Sequence, residues 1–232
     1  MQAIIMAGGR GTRMQAKYPN PPKLLIPLRG KPFVDHLVEH LKKNDCRNII
    51  ICTGYLGYKV KEYVDKKNYG VPIKLSMERK PLGTGGALNL VKDLLGEDFF
   101  LLFGDVYTRI NLRKMFEFHK KKRAVVTAAI HPSSHPLDSD LVEFNSDFRI
   151  TKILLRPHAQ IPKNSYNLSA LYLVSRDVKK YLLTKIPNDF EHDLLPKLLD
   201  ENLPIYGYNT SELMMDIGTP DRLEKVEKLL NI

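Results

Sequence analysis

The chain has 232 residues, 43% hydrophobic and 27% charged, with a formal net charge of +10. Those proportions exclude a disordered chain, and no apolar run approaches the ~20 residues that cross a bilayer. Cys46 and Cys52, the only two cysteines, suit buried thiols in a reducing, cytoplasmic compartment better than a disulfide or a metal pair.

In chain order, the apolar run Ala3 to Ala7 leads straight into Gly8-Gly9-Arg10-Gly11-Thr12-Arg13. That pattern predicts a buried strand ending in a glycine-rich loop. Three glycines in four positions let backbone N–H groups close around phosphate without Cβ obstruction. A tight strand-to-helix turn would use the same residues. No Gly-Lys-Ser/Thr follows, and the dinucleotide spacing Gly-x-Gly-x-x-Gly is missing. Arg13 and Lys23 place two cations near this loop. Met1 runs directly into the first strand, so no targeting segment is expected ahead of it.

Phe33, Val34, Leu37, Val38 and Leu41 recur at helical spacing between Lys31 and Asn44. Asn48 to Cys52 is a predicted strand, Tyr58 to Lys67 a helix and Val71 to Met77 a strand. A second glycine-rich segment, Glu78 to Gly86, precedes a predicted helix from Ala87 to Leu95. Asp98 to Phe103 is an apolar strand closed by Gly104-Asp105, and Leu112 to Lys121 is a helix. This alternation predicts a mostly parallel sheet with helices on both faces. The loops 8–13, 78–86 and 104–105 then share the C-terminal edge of the strands, where such sheets bind ligands.

The second half is less regular. Strands are predicted at Ala124 to His131, Leu141 to Phe144, Ile150 to Leu155, Asn167 to Val174, Pro204 to Tyr208 and Leu213 to Ile217. Helices are predicted at Arg176 to Leu183, Phe190 to Leu199 and Asp221 to Leu230, with Pro220 near the first turn of the last. No repeat or long linker divides the chain, so residues 1–232 are expected to form one domain. The basic charge is spread, and its densest run, Lys120 to Arg123, closes a predicted helix where cations meet the C-terminal dipole. Nucleic acid and membrane are not expected partners. His131, His135 and His158 match no zinc-ligand spacing.

Asp105 and Asp216 each follow apolar residues at a predicted strand end. Carboxylates there need a cation, water or a donor. As oxygen ligands they suit Mg²⁺ beside phosphate.

Ala7-Gly8-Gly9-x-Gly11-Thr12-Arg13-Met14, Pro22-Lys23-Leu24-Leu25-x-Pro27, Gly104-Asp105 and Asp216-Ile217-Gly218-Thr219-Pro220 together resemble the sugar-1-phosphate nucleotidyltransferases. The resemblance covers most of the chain. It implies a Rossmann-like three-layer α/β sandwich, with a mixed, mostly parallel sheet and a small acceptor-binding lobe. Residues to about 123 would form the nucleotide-binding half, and the remainder the acceptor-binding half. It implies catalytic roles for Arg13 on the triphosphate tail and Lys23 on the α-phosphate. Asp105 and Asp216 would jointly hold Mg²⁺. The nucleotide would rest on Ala7, Gly8, Gly9, Gly11, Thr12, Arg13, Glu78, Pro81, Gly83, Thr84 and Gly85.

Glu78 is expected near the base, where a carboxylate can accept from guanine N1–H and N2–H₂, so GTP is the expected donor. The acceptor side departs from the family: Leu155-Arg156-Pro157 stands where many members carry Glu-Lys-Pro, and Asn167-Leu168-Ser169 where they carry Asn-x-Gly. Glu143, Arg156 and Asn167 remain the candidate acceptor contacts. The stretch from His131 to His158 looks most like heptose- and mannose-type guanylyltransferases of surface-glycan pathways. A cytidylyl- or uridylyltransferase using another sugar or a polyol phosphate, and a nucleotide-binding regulator without turnover, stay open, as does a homodimer.

Overall fold

The computed structural model describes residues 1–14, 17–19, 22–133, 136–158, 160–161 and 165–230. Its first half runs β1 (Gln2–Ala7), a small hairpin of β2 (Pro27–Leu28) and β3 (Lys31–Pro32), α1 (Phe33–Lys43), β4 (Asn48–Thr53), α2 (Gly57–Asp65) and β5 (Ile73–Met77). It continues with α3 (Gly83–Leu90), β6 (Asp98–Phe103), β7 (Val106–Thr108) and α4 (Leu112–Lys122). The second half adds β8 (Val126–Pro132), β9 (Leu141–Phe144), β10 (Ile150–Leu154), β11 (Tyr166–Ser175), α5 (Leu195–Asp200), β12 (Ile205–Asn209), β13 (Met214–Asp216) and α6 (Pro220–Leu229).

Among the described residues, nine strands form one sheet in the order β10-β9-β11-β6-β1-β4-β5, with β8 also paired to β11 and β12 to β8. β6, β1, β4 and β5 are parallel, and β11 turns the sheet mixed by pairing antiparallel to β6, β8 and β9. The chain steps outward from β1 to β4 and β5, then returns to β6 on the other side of β1. That reversal opens a crevice at the C-terminal ends of β1 and β6, the usual ligand site of an open α/β sheet.

Alternation along β1 divides the core. Ala3 and Ile5 face one layer with Phe33, Leu37 and Val38 of α1, Val60 of α2, Met115 of α4 and Leu223 of α6. Ile4 and Met6 face the other with Leu88 of α3, Phe190, and Leu195 and Leu198 of α5. All of these are buried, which makes a helix–sheet–helix sandwich of the expected Rossmann-like kind. Cys46 and Cys52 are free and buried, and burial pushes both thiols up to about 12.

β2, β3 and β7 lie where no strand is predicted, and three helical segments differ from expectation. α3 begins at Gly83 rather than Ala87, because Gly85 and Gly86 donate their N–H groups to the Asn188 carbonyl at 3.1 and 3.3 Å and so belong to the helix's first turn. Arg176–Tyr181 is a 3₁₀ segment capped by Ser175, not an α-helix. The helix expected from Phe190 opens as a π-turn over Phe190–Leu194 before becoming α5.

Candidate active site

Parts of both glycine segments and the end of β6 line one cavity of about 380 Å³. Its wall includes Ala7, Gly8 and Gly9 after β1, Glu78, Pro81, Gly83 and Thr84 after β5, and Lys23 and Asp105. Gly104 makes this approach close: its N–H donates to the Met6 carbonyl at 2.8 Å, and a Cβ there would meet that of Ala7 at 2.8 Å.

Glu78 follows β5 and its N–H is held by the Thr53 carbonyl at 2.9 Å. Its Oε2 accepts from the Leu82 N–H at 3.1 Å, and its Oε1 lies over the backbones of Gly8 and Gly54, where any Cβ would approach to 2.5 Å. Burial raises the carboxyl above its ordinary value, and the Leu82 N–H opposes the rise. A carboxylate is thus fixed in the cavity wall, with Oε2 held by the Leu82 N–H and Oε1 packed over glycine backbone.

Lys23 Nζ donates to Asp105 Oδ2 at 2.6 Å, with the two side chains 21% and 22% exposed. Gly11 adopts φ +60, and a Cβ on it would strike the Lys23 stem at 2.8 Å. Gly11 therefore leaves room for the Lys23 stem. Thr12 and Arg13 start a 3₁₀ turn, Thr12–Met14, outside that wall. The Arg13 guanidinium instead reaches the face of Gly218, where a Cβ would lie 3.0 Å from its Nη2 and 3.1 Å from Asp216 Oδ1.

Asp216 ends β13, which pairs antiparallel with β7 and so sets Asp216 opposite Val106, the residue after Asp105. The Ile217 N–H donates to the Asp105 carbonyl at 2.7 Å. Asp216 Oδ1 accepts from the Gly218 N–H at 3.1 Å, and Oδ2 from Arg222 Nη1. No group of three or more His, Cys, Asp or Glu side chains is placed to hold a metal among the described residues. The two carboxylates fit a hard divalent ion only if phosphate or water oxygens complete its shell.

Gly85 is engaged by the π-turn. Its N–H donates to the Asn188 carbonyl and the Asn188 side chain fills the place of a Cβ, so it packs α3 against the π-turn.

The acceptor candidates are spread out. Arg156 is held by Asp140, whose Oδ1 accepts from its N–H at 3.0 Å and its Nε at 3.1 Å, and by the Asp138 carbonyl at 2.7 Å. Glu143 lines a separate cleft of about 550 Å³ with Lys152 and His158. Asn167 is buried, and its Oδ1 has no hydrogen-bond partner among the described residues. The left-handed backbone of this strand falls at Ala170, φ 52, not at Ser169, whose Oγ instead pairs with His131 Nδ1 at 2.7 Å. His158 Nε2 pairs with the Ser139 carbonyl at 2.7 Å, and His135 lies outside the described residues.

Several residues were not singled out by the sequence. Asp189 joins the cavity wall, and Asn188 bolts the π-turn onto α3. Asp140 is nearly buried, and its Oδ2 pairs with His192 Nε2 at 2.7 Å; Arg156 and the His192 contact hold its carboxyl below the ordinary value against the cost of burial. Arg222 had a readable signal: a cation in the first turn of a helix opposes the dipole.

Over 231 residues the chain is 29% identical to D-glycero-alpha-D-manno-heptose 1-phosphate guanylyltransferase of Aneurinibacillus thermoaerophilus, covering 99% of this chain and 98% of that protein. It is 28% identical over 228 residues to mannose-1-phosphate guanylyltransferase of Mycobacterium tuberculosis, covering 95% of this chain and 62% of that one, less than two thirds of its length. HddC from Yersinia pseudotuberculosis shares the fold with a TM-score of 0.84 at 24% identity, over 99% of both chains. The inositol-1-phosphate CTP transferase from T. maritima does so at 0.81 and 20%, over 99% of this chain and 94% of that one. The Nucleotidyl transferase family model matches residues 2–231, so the chain belongs to the nucleotidyl transferase family.

Proposed function

We propose that this protein transfers the guanylyl group of GTP to a sugar 1-phosphate of heptose or mannose type, giving a nucleotide-diphospho-sugar and pyrophosphate. The observation that carries the reading is the Glu78 carboxylate fixed in the cavity wall. An ionised carboxylate only accepts hydrogen bonds. Guanine offers N1–H and N2–H₂ side by side on one edge; adenine has no such pair. The sugar class is supported by the names of the relatives, at 29% and 28% identity.

The acceptor phosphate oxygen is ionised at neutral pH, so it attacks the α-phosphorus without a general base. The bond from that phosphorus to the bridging oxygen breaks, and pyrophosphate leaves with the electron pair. A divalent ion, Mg²⁺ in this reading, neutralises phosphate charge when bound by Asp105 and Asp216. The chain supplies position and charge rather than covalent chemistry. Lys23, now on Asp105, shifts to the α-phosphate as charge builds there, and Arg13 takes the triphosphate tail. The free, buried cysteines agree with a cytoplasmic setting.

Leu155 supports a second reading. It stands where a family glutamate would meet sugar hydroxyls, which favours a cytidylyltransferase using a polyol phosphate. Pyrophosphate release across four triphosphates and a panel of sugar and polyol phosphates separates the readings. Preference for GTP with a heptose or mannose 1-phosphate is expected, and Glu78→Gln should cut that preference roughly tenfold by losing an acceptor for a guanine donor. Turnover confined to CTP with a polyol phosphate would end the guanylyl reading, and no turnover at all would favour a regulator.

A further inference from the structure

Arg222 stands in an unfavourable place for a cation. Thr219 caps α6, accepting from the Arg222 N–H at 3.4 Å, so Arg222 lies in the first helical turn, where the positive dipole end repels it. It is retained there by a contact from its Nη1 to Oδ2 of Asp216, and those side chains are 39% and 34% exposed. Asp105 and Asp138 add to the field that holds its proton. Lys23 makes the matching contact on Asp105. Each carboxylate fit to hold a divalent ion thus has one oxygen paired to a cation from this chain, and Asp216 Oδ1 is further engaged by the Gly218 N–H.

We infer that Arg222, together with Lys23, is a resident counter-ion that keeps a divalent metal off Asp105 and Asp216 until the triphosphate arrives, so that metal and nucleotide enter together. The inference rests on the nucleotidyl-transfer reading of this site. A bare metal ion must break both ion pairs and leaves the two displaced cations beside it, unneutralised. A metal–triphosphate brings its own negative charge: the displaced guanidinium and ammonium then have phosphate oxygens to accept their N–H groups. Partial exposure leaves Arg222 room to swing away from Asp216 without breaking the core.

The test is a titration of the full chain with Mn²⁺, followed by electron paramagnetic resonance, without nucleotide or acceptor. Wild type should bind weakly, in the millimolar range. Arg222→Met should bind Mn²⁺ at least roughly tenfold tighter, since a hydrogen bond to a charged group is removed from competition. Arg222→Lys should stay near wild type, because the contact to Asp216 is through a single nitrogen and charge alone suffices. Melting curves report folding, and Arg222→Gln serves if the methionine variant does not fold.

Unchanged or weaker Mn²⁺ binding in the neutral variants overturns the inference and leaves Arg222 as an ion pair that only anchors α6. Micromolar binding by wild type alone also overturns it. The titration uses no substrate, so a tightening in Arg222→Met stands even if no triphosphate is turned over. Conversely, normal guanylyl transfer with no tightening removes only the counter-ion role.

Discussion

The Ile217 N–H donates to the Asp105 carbonyl at 2.7 Å, joining the end of one strand to a residue more than a hundred positions later. That bond, with β13 laid against β7, ties the backbone of Asp105 to the segment that carries Asp216. In the proposed site the two carboxylates share one divalent ion, which makes their effects interdependent.

Asp105→Asn and Asp216→Asn should each lower turnover by on the order of 10²-fold, and the double variant should be little worse than either single one, as for groups that act as one unit. Steady-state kcat at saturating Mg²⁺ decides this. Losses that multiply in the double variant would mean that the two do not share an ion.

Lys23→Ala should reduce kcat by on the order of 10²–10³, by analogy with removing one donor from an oxyanion site. Its ammonium donates to the Asp105 carboxylate in the cavity wall at 2.6 Å. Circular dichroism should show the fold intact. Turnover equal to wild type would remove Lys23 from the chemistry.

Two glycines should separate stability from catalysis. Gly83 has φ +74, and a Cβ there would strike the Asn188 backbone, so Gly83→Ala combines left-handed strain with overpacking. It should cost about 3 kcal/mol of unfolding free energy, read in urea. A Cβ on Gly9 meets nothing within 4 Å. Gly9→Ala should therefore change stability by less than about 0.5 kcal/mol. It should raise the KM for the triphosphate, because the methyl enters the space reserved for phosphate. A large stability loss in Gly9→Ala would contradict the open geometry.

Glu191 gives a pH signature. Burial raises its carboxyl to about 7, aided by Asp189 and Asp140 and opposed by the Tyr172 hydroxyl that donates to it. A raised carboxyl means that the folded state keeps a proton which the unfolded chain releases above its ordinary value of 4.5. Folding stability from this group therefore falls as pH rises from about 4.5 to about 7 and is level above that. Glu191→Gln should be near neutral in urea unfolding at pH 4.5 and stabilising by on the order of 2 kcal/mol at pH 8. Equal effects at both pH values would show that Glu191 ionises normally.

Local pattern made much of this protein readable. Apolar runs of five or six residues with intervening helical periodicity specify parallel strands, and glycines and acids at their ends mark the binding edge. Ala7, Gly8, Gly9, Glu78, Pro81, Gly83, Thr84, Lys23 and Asp105 do line one cavity. What the string of residues could not carry was pairing at a distance. Nothing near Gly85 shows that Asn188 takes its N–H. Nothing near Arg156 shows that Asp140 holds it, or near Asp216 that Arg222 neutralises it. Periodicity and turn chemistry act over a few residues, whereas an ion pair or a close backbone approach depends on where the whole sheet delivers two remote segments. The sequence by itself therefore determined the layers and the loops; only the tertiary structure decided which charges those loops keep for themselves.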